Sequence, residues 1–108
     1  MRTDLERLFD PRSIAIIGAS AELTTISGQP LNFLVKRGYA GRLYPVNPRY
    51  SELLGHTCYP SIEALPETPD LALIVVNARL AIQMLEACGV KGVPFAVVFS
   101  SGYSEVGA

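Results

Sequence analysis

The sequence predicts an α/β protein: an open parallel sheet of about four to five strands with helices on both faces. Two observations predict it. The apolar runs SIAII (13–17), LALIVVN (71–77) and FAVVFS (95–100) are short, rich in β-branched residues and continuous rather than alternating. Strands buried on both faces read this way. Between them lie stretches with apolar residues at helical spacing, bounded by Ser, Asn, Gly or Pro. Strand and helix therefore alternate, as crossovers between parallel strands require.

Each element has its own local reason. Thr3 followed by Glu6 makes a capping-box start for a short helix carrying Leu5, Leu8 and Phe9, which Pro11 stops. The run 13–17 is a central strand ending at Gly18. Ser27 is placed to cap the next helix, whose first turn tolerates Pro30. Leu31, Leu34 and Val35 form that helix's apolar stripe, and Gly38 is its terminator. A strand at 42–46 is broken by Asn47-Pro48. A weak strand at Cys58-Tyr59 and a helical turn capped by Ser61 lead through the connector LPETPD into the strand 71–77. Asn77 caps a helix in which Leu80, Ala81, Met84, Leu85 and Cys88 share a face, and Gly89 ends it. The strand 95–100 runs into SGYSEVGA.

Composition narrows the function classes. The chain has 108 residues, 49% hydrophobic and 18% charged, enough to bury the core of one domain. Its formal net charge of −1 gives no electrostatic pull toward nucleic acid or an anionic membrane. No apolar run approaches the ~20 residues of a membrane span. The start, MRTDLERLFD, is amphipathic and acid-containing, unlike a signal peptide. Cys58 and Cys88 lie far apart, with no CxxC and no histidine cluster. The expectation is a reduced, cytoplasmic protein with no metal site, both cysteines in the core. His56, in a Gly-His-Thr stretch, reads as a solvated turn residue.

In an open parallel sheet, ligands bind beyond the C-terminal strand ends where the chain changes sides. Four tips qualify: Gly18-Ala19-Ser20, Asn47-Pro48-Arg49, Asn77-Ala78 and Ser100-Ser101-Gly102. Small residues let a ligand approach the backbone, and free N–H groups at a helix start attract phosphate. A plain turn explains any one tip equally well; four together weigh more. The dinucleotide fingerprint G-x-G-x-x-G is absent, because the glycine after Gly18 is Gly28. The acidic residue that would hold an adenosine ribose at the end of the second strand is also absent. Arg49 stands there instead. It would welcome a phosphate on the ribose, as in NADP or coenzyme A, or it is a solvated turn residue.

The ordered segments SIAIIGAS, YPVNPRY, CYPSIEALPETPDLALIVVN and GVPFAVVFSSGYSE resemble the Rossmann-like CoA-binding domain of NDP-forming acyl-CoA synthetases, relatives of succinyl-CoA synthetase. The resemblance runs from Leu8 to Glu105. It implies that Gly18, Ala19, Ser20, Ser27 and Gly28 hold the phosphates of coenzyme A. It places Asn47, Pro48 and Arg49 at the adenosine end, with Arg49 near the 3′-phosphate. Val76 and Asn77 stand where the family has Val-Pro, and Ser100, Ser101 and Gly102 lie near the pantetheine arm. The implied reaction joins a carboxylic acid to CoA at the expense of a nucleoside triphosphate, through a phosphohistidine and an acyl phosphate. Splitting the reaction into covalent steps lowers each barrier.

His56 does not match the family's phosphorylated position, so this domain is expected to be noncatalytic. The resemblance makes residues 1–108 a single CoA-binding module, the N-terminal part of a larger chain, with further ligase and ATP-grasp domains as partners. Two alternatives stand beside it. One is a regulatory synthetase-like domain fused to a protein lysine acetyltransferase. The other is an NAD(P)-sensing module, which would need its DNA reader elsewhere because no basic recognition helix is present.

Overall fold

The computed structural model of the chain describes residues 8–21 and 28–99. In chain order the elements are β1 (Ser13–Ile17), α1 (Gln29–Lys36), β2 (Arg42–Val46), β3 (Glu52–Leu53), β4 (His56–Thr57), a 3-10 turn (Ile62–Ala64), β5 (Leu71–Ile74), α2 (Ala78–Lys91) and β6 (Phe95–Val98). Residues 8 and 9 are helical, with Phe9 exposed; the Thr3–Glu6 capping box and Leu5 lie outside the described residues.

Four strands form one parallel sheet in the order β2-β1-β5-β6. The chain steps outward from β1 to β2, returns past β1 to β5, and steps outward again to β6. The direction reverses between β1 and β5. That reversal opens a crevice at the C-terminal strand ends, the place where such sheets take ligands.

Strand periodicity divides β1 between two cores. Ile14 and Ile16 pack with Leu31 of α1 and with Leu43, Leu53, Cys58 and Val75. Ala15 and Ile17 face the other way, with Val46, Ile62, Leu65, Ile74, and Ala81 and Cys88 of α2. The expectation that β1 is buried on both faces holds at all five residues. Ile16, Leu31 and Ile74 are fully buried, each worth about 1.5–3 kcal/mol relative to exposure. Both cysteines are buried as expected, and burial pushes both thiols above their ordinary range, helped at Cys88 by the charge of Glu63.

Several elements differ from the sequence expectation. β6 is an edge strand, and Val97, Val98 and Phe99 stay about 40% exposed: 40%, 38% and 43%. Among the described residues it has a strand neighbour on one side only, and α2 packs against it. β5 stops at Ile74 rather than residue 77, because Val75 and Val76 form the exit leading to the helix cap. α2 runs through Gly89 to Lys91. Gly92, at φ +92°, ends it, with Val93 N–H bonding Cys88 O at 2.9 Å and Val93 packing on the core. Leu80 and Leu85, expected on the core face of α2, are exposed; Met84 and Ala87 pack inward beside Ala81 and Cys88. α1 has Gly28 at its cap position, without a side-chain cap, and Ser27 lies outside the described residues.

The β3–β4 hairpin was not legible as strands. Its two-residue turn, Leu54-Gly55, has positive φ at both positions, the geometry of a tight hairpin turn that usually announces itself as Asn-Gly. His56 therefore begins β4, half-buried, rather than lying in a solvated turn.

Candidate ligand-binding site

The first strand tip is shaped by crowding. Gly18 sits at φ +92°, and a Cβ there would lie 2.3 Å from the Val75 carbonyl oxygen and 2.8 Å from Val76 Cγ1. Glycine is required by the neighbouring strand exit, whatever binds beyond it. Gly18 N–H donates to Val46 O at 2.8 Å and Val75 N–H to Ile17 O at 2.7 Å, so the three strand exits are tied together.

Asn47 fastens the second tip to the first. Its Nδ2 donates to Ala19 O at 2.9 Å, while its Oδ1 accepts from Arg49 N–H at 2.9 Å. Its own N–H donates to Tyr59 O, and its carbonyl oxygen accepts from Tyr50 N–H. The side chain that reads as a strand breaker thus fixes the turn presenting Arg49. At the third tip, Asn77 caps α2 as expected, its Oδ1 accepting from Leu80 N–H at 3.0 Å. The positive end of a 14-residue helix therefore opens into the crevice.

Two adjoining clefts occupy that crevice and share the wall Gly18, Asn47, Val76 and Leu80. The polar cleft, about 320 Å³, is completed by Ser20, Arg49, Tyr50, Val75 and Asn77. The other, about 370 Å³, is largely apolar, with Pro48, Ile62, Met84 and Ala87 in its lining. Among the described residues the Arg49 guanidinium has no ion-pair partner. A cation and a helix N-terminus in one cleft suit an anionic group, and the apolar neighbour suits an uncharged ring or chain.

Of the residues singled out from the sequence, Gly18, Ser20, Asn47, Pro48, Arg49, Val76 and Asn77 line these clefts. Ala19 does not: it is fully buried in the α1-side core and contributes its carbonyl to Asn47. Gly28, also buried, is at the start of α1 and lines neither cleft. Ser27, Ser100, Ser101 and Gly102 lie outside the described residues.

The sequence reading missed the wall made by Pro60, Ser61, Ile62 and Glu63. A parallel bridge between Val46 and Tyr59 carries this segment to the tip of β2. The available signal was the YPSI stretch within the segment CYPSIEALPETPDLALIVVN that carries the family resemblance.

Residues 12–106 match the family described as CoA binding domain. The chain belongs to this family. Acetate–CoA ligase (ADP-forming) I of Archaeoglobus fulgidus is 47% identical over 105 residues, covering 95% of this chain and 15% of the ligase. The alpha subunit of acetate–CoA ligase (ADP-forming) I from Pyrococcus furiosus is 41% identical over 107 residues, covering 95% of this chain and 23% of the subunit. A solved structure of the dinucleotide-forming acetyl-coenzyme A synthetase 1 of Ca. Korarchaeum cryptofilum, in complex with phosphate and ADP, superposes with a TM-score of 0.87 at 42% identity. That match covers 97% of this chain and 23% of the synthetase chain. The chain thus spans less than a quarter of the length of each of these relatives. They lend no support to the acetyltransferase-fused or NAD(P)-sensing alternatives.

Among the described residues no helix is long and apolar enough to cross a membrane, and no cluster of His, Cys, Asp or Glu could hold a metal ion.

Proposed function

We propose that this CoA-binding domain holds coenzyme A across the two joined clefts, as one module of a cytoplasmic NDP-forming acid–thiol ligase. The convergence of three strand tips on one crevice, with Arg49 as the cation of its polar half, carries the reading. Arg49 would meet the ribose 3′-phosphate, with Asn47 fixing its turn. The N-terminus of α2 and the backbone around Gly18 and Ser20 would meet the diphosphate. Ser27 and Gly28 remain proposed phosphate contacts, and Ser100, Ser101 and Gly102 proposed neighbours of the pantetheine arm.

CoA supplies the thiol of the parent reaction, which converts a carboxylic acid, CoA and a nucleoside triphosphate into acyl-CoA. This domain's contribution is to bind and orient that thiol carrier. Phosphoryl transfer belongs to further ligase and ATP-grasp domains of a longer chain or a partner chain, with residues 1–108 as the N-terminal module.

Calorimetric titration of the chain tests the assignment. CoA is expected to bind about tenfold more tightly than dephospho-CoA, and Arg49→Ala to abolish the difference. Equal binding of the two ligands by the unaltered chain would remove Arg49's role. A preference for NADP would overturn the CoA assignment.

A further inference from the structure

The two clefts are unlike in charge. Arg49 is the charged residue lining the polar cleft, and Glu63 is the charged residue lining the apolar one. Glu63 sits on the 3-10 turn, across the cleft from Met84 and Ala87 of α2. The turn packs against α2, so Glu63 and the helix residues Met84 and Ala87 line the same cleft. Among the described residues the carboxylate enters no hydrogen bond or ion pair. It is an acceptor with spare capacity at the wall of an otherwise greasy slot.

That partition orients any ligand that has both phosphates and an uncharged heterocycle. Phosphates are drawn toward Arg49 and the start of α2 and are repelled from Glu63. The ring is left with the apolar cleft, flanked by Ile62, Met84 and Leu80. A carboxylate there selects among rings by the sign of their edge. Adenine presents an exocyclic amine, a donor, beside a ring acceptor. Hypoxanthine and guanine present a carbonyl oxygen at the same place, and a carboxylate facing it from the N7 side, away from their N1–H donor, would be acceptor against acceptor.

We propose that Glu63 reads the exocyclic amine of the bound nucleotide's purine from its N7 side and makes the apolar cleft selective for adenine. The inference rests on the CoA reading above and adds a specificity-determining residue to it. No covalent step is involved; Glu63 acts only as a hydrogen-bond acceptor.

The test compares CoA with its deaminated analogue, in which hypoxanthine replaces adenine, by calorimetry on the unaltered chain and on Glu63→Ala and Glu63→Gln. Glu63 is exposed on a short turn, so both variants are expected to fold, as circular dichroism checks. The unaltered chain should prefer CoA about tenfold. Glu63→Ala should weaken CoA binding and leave the analogue's unchanged or improved, bringing the ratio near one. Glu63→Gln, whose amide can accept from an amine or donate to a carbonyl, should keep CoA binding within about threefold and strengthen that of the analogue. A merely structural role would weaken both ligands together. CoA binding with the same ratio in Glu63→Ala would overturn the role of Glu63 and leave the CoA reading standing. Failure of the unaltered chain to bind either ligand would overturn both.

Discussion

Asn47 Nδ2 donates to the carbonyl oxygen of Ala19 across 2.9 Å, joining the ends of two strands that are 28 residues apart in sequence. Ala19 is fully buried, so its carbonyl has no ready replacement donor in water. The same side chain accepts from Arg49 N–H. One amide therefore serves both tips, using its donor for one and its acceptor for the other.

Replacing Asn47 separates those two duties. Asn47→Asp keeps the acceptor for Arg49 N–H but turns a second acceptor toward Ala19 O. It is expected to cost about 1–3 kcal/mol, and Asn47→Ala a similar amount. Urea denaturation of the three proteins reads this directly. An aspartate variant as stable as the parent would show that the bond to Ala19 is unimportant.

Gly18 and Gly38 form a natural control pair. Both have positive φ, +92° and +71°, but an added Cβ meets the Val75 carbonyl at 2.3 Å in the first and nothing within 4 Å in the second. Gly38→Ala bears only the left-handed backbone penalty, about 1 kcal/mol. Gly18→Ala adds a backbone clash in the core of the switch point and should cost about 3 kcal/mol or more. Equal denaturation midpoints for the two variants would refute the crowding account.

How much of this was legible in the sequence depended on how local the cause was. β1 and β2 begin and end where expected because Gly18 and Asn47-Pro48 punctuate them within a residue or two. The sequence puts the end of α2 at Gly89, three residues before the Gly92 that caps it. Both glycines are competent terminators, and the choice of Gly92 is made by Val93 packing on the core, a tertiary contact. The polar half of the site was readable, since strand-tip chemistry is local. The apolar half was not: Pro60 to Glu63 reach the cleft through the Val46–Tyr59 bridge, a pairing that no short-range pattern encodes. The exposure of β6 was hidden for a similar reason, because an apolar run looks the same at a sheet's centre and at its edge.

The connector after the 3-10 turn is held to β2 by a three-residue clasp that responds to pH. Arg42 grips the Glu67 carboxylate through Nε and a second nitrogen, the latter at 2.9 Å, and the Tyr44 hydroxyl donates to the same carboxylate. The hydrogen bond from Arg42 holds the Glu67 carboxyl below its ordinary range against the opposing effect of burial, with the Tyr44 hydrogen bond assisting. A carboxyl whose folded pKa lies below its unfolded value contributes stability that is fully present above the unfolded pKa and is lost as pH falls through the folded one. The clasp is partly solvated, with Arg42 57% exposed and Glu67 30%, so the gain is modest and screened by salt. Glu67→Gln should accordingly be less stable than the parent near neutrality, and the gap should close as pH falls from about 5 toward 3. Tyr44 adds the opposite limb. Burial, then the Glu67 hydrogen bond, raises its hydroxyl pKa, so its contribution is present below the unfolded tyrosine pKa and fades in alkali. Denaturation of parent and variant at a series of pH values measures both limbs. A stability difference that stays constant from neutral to acid pH would show that Glu67 does not titrate through the clasp.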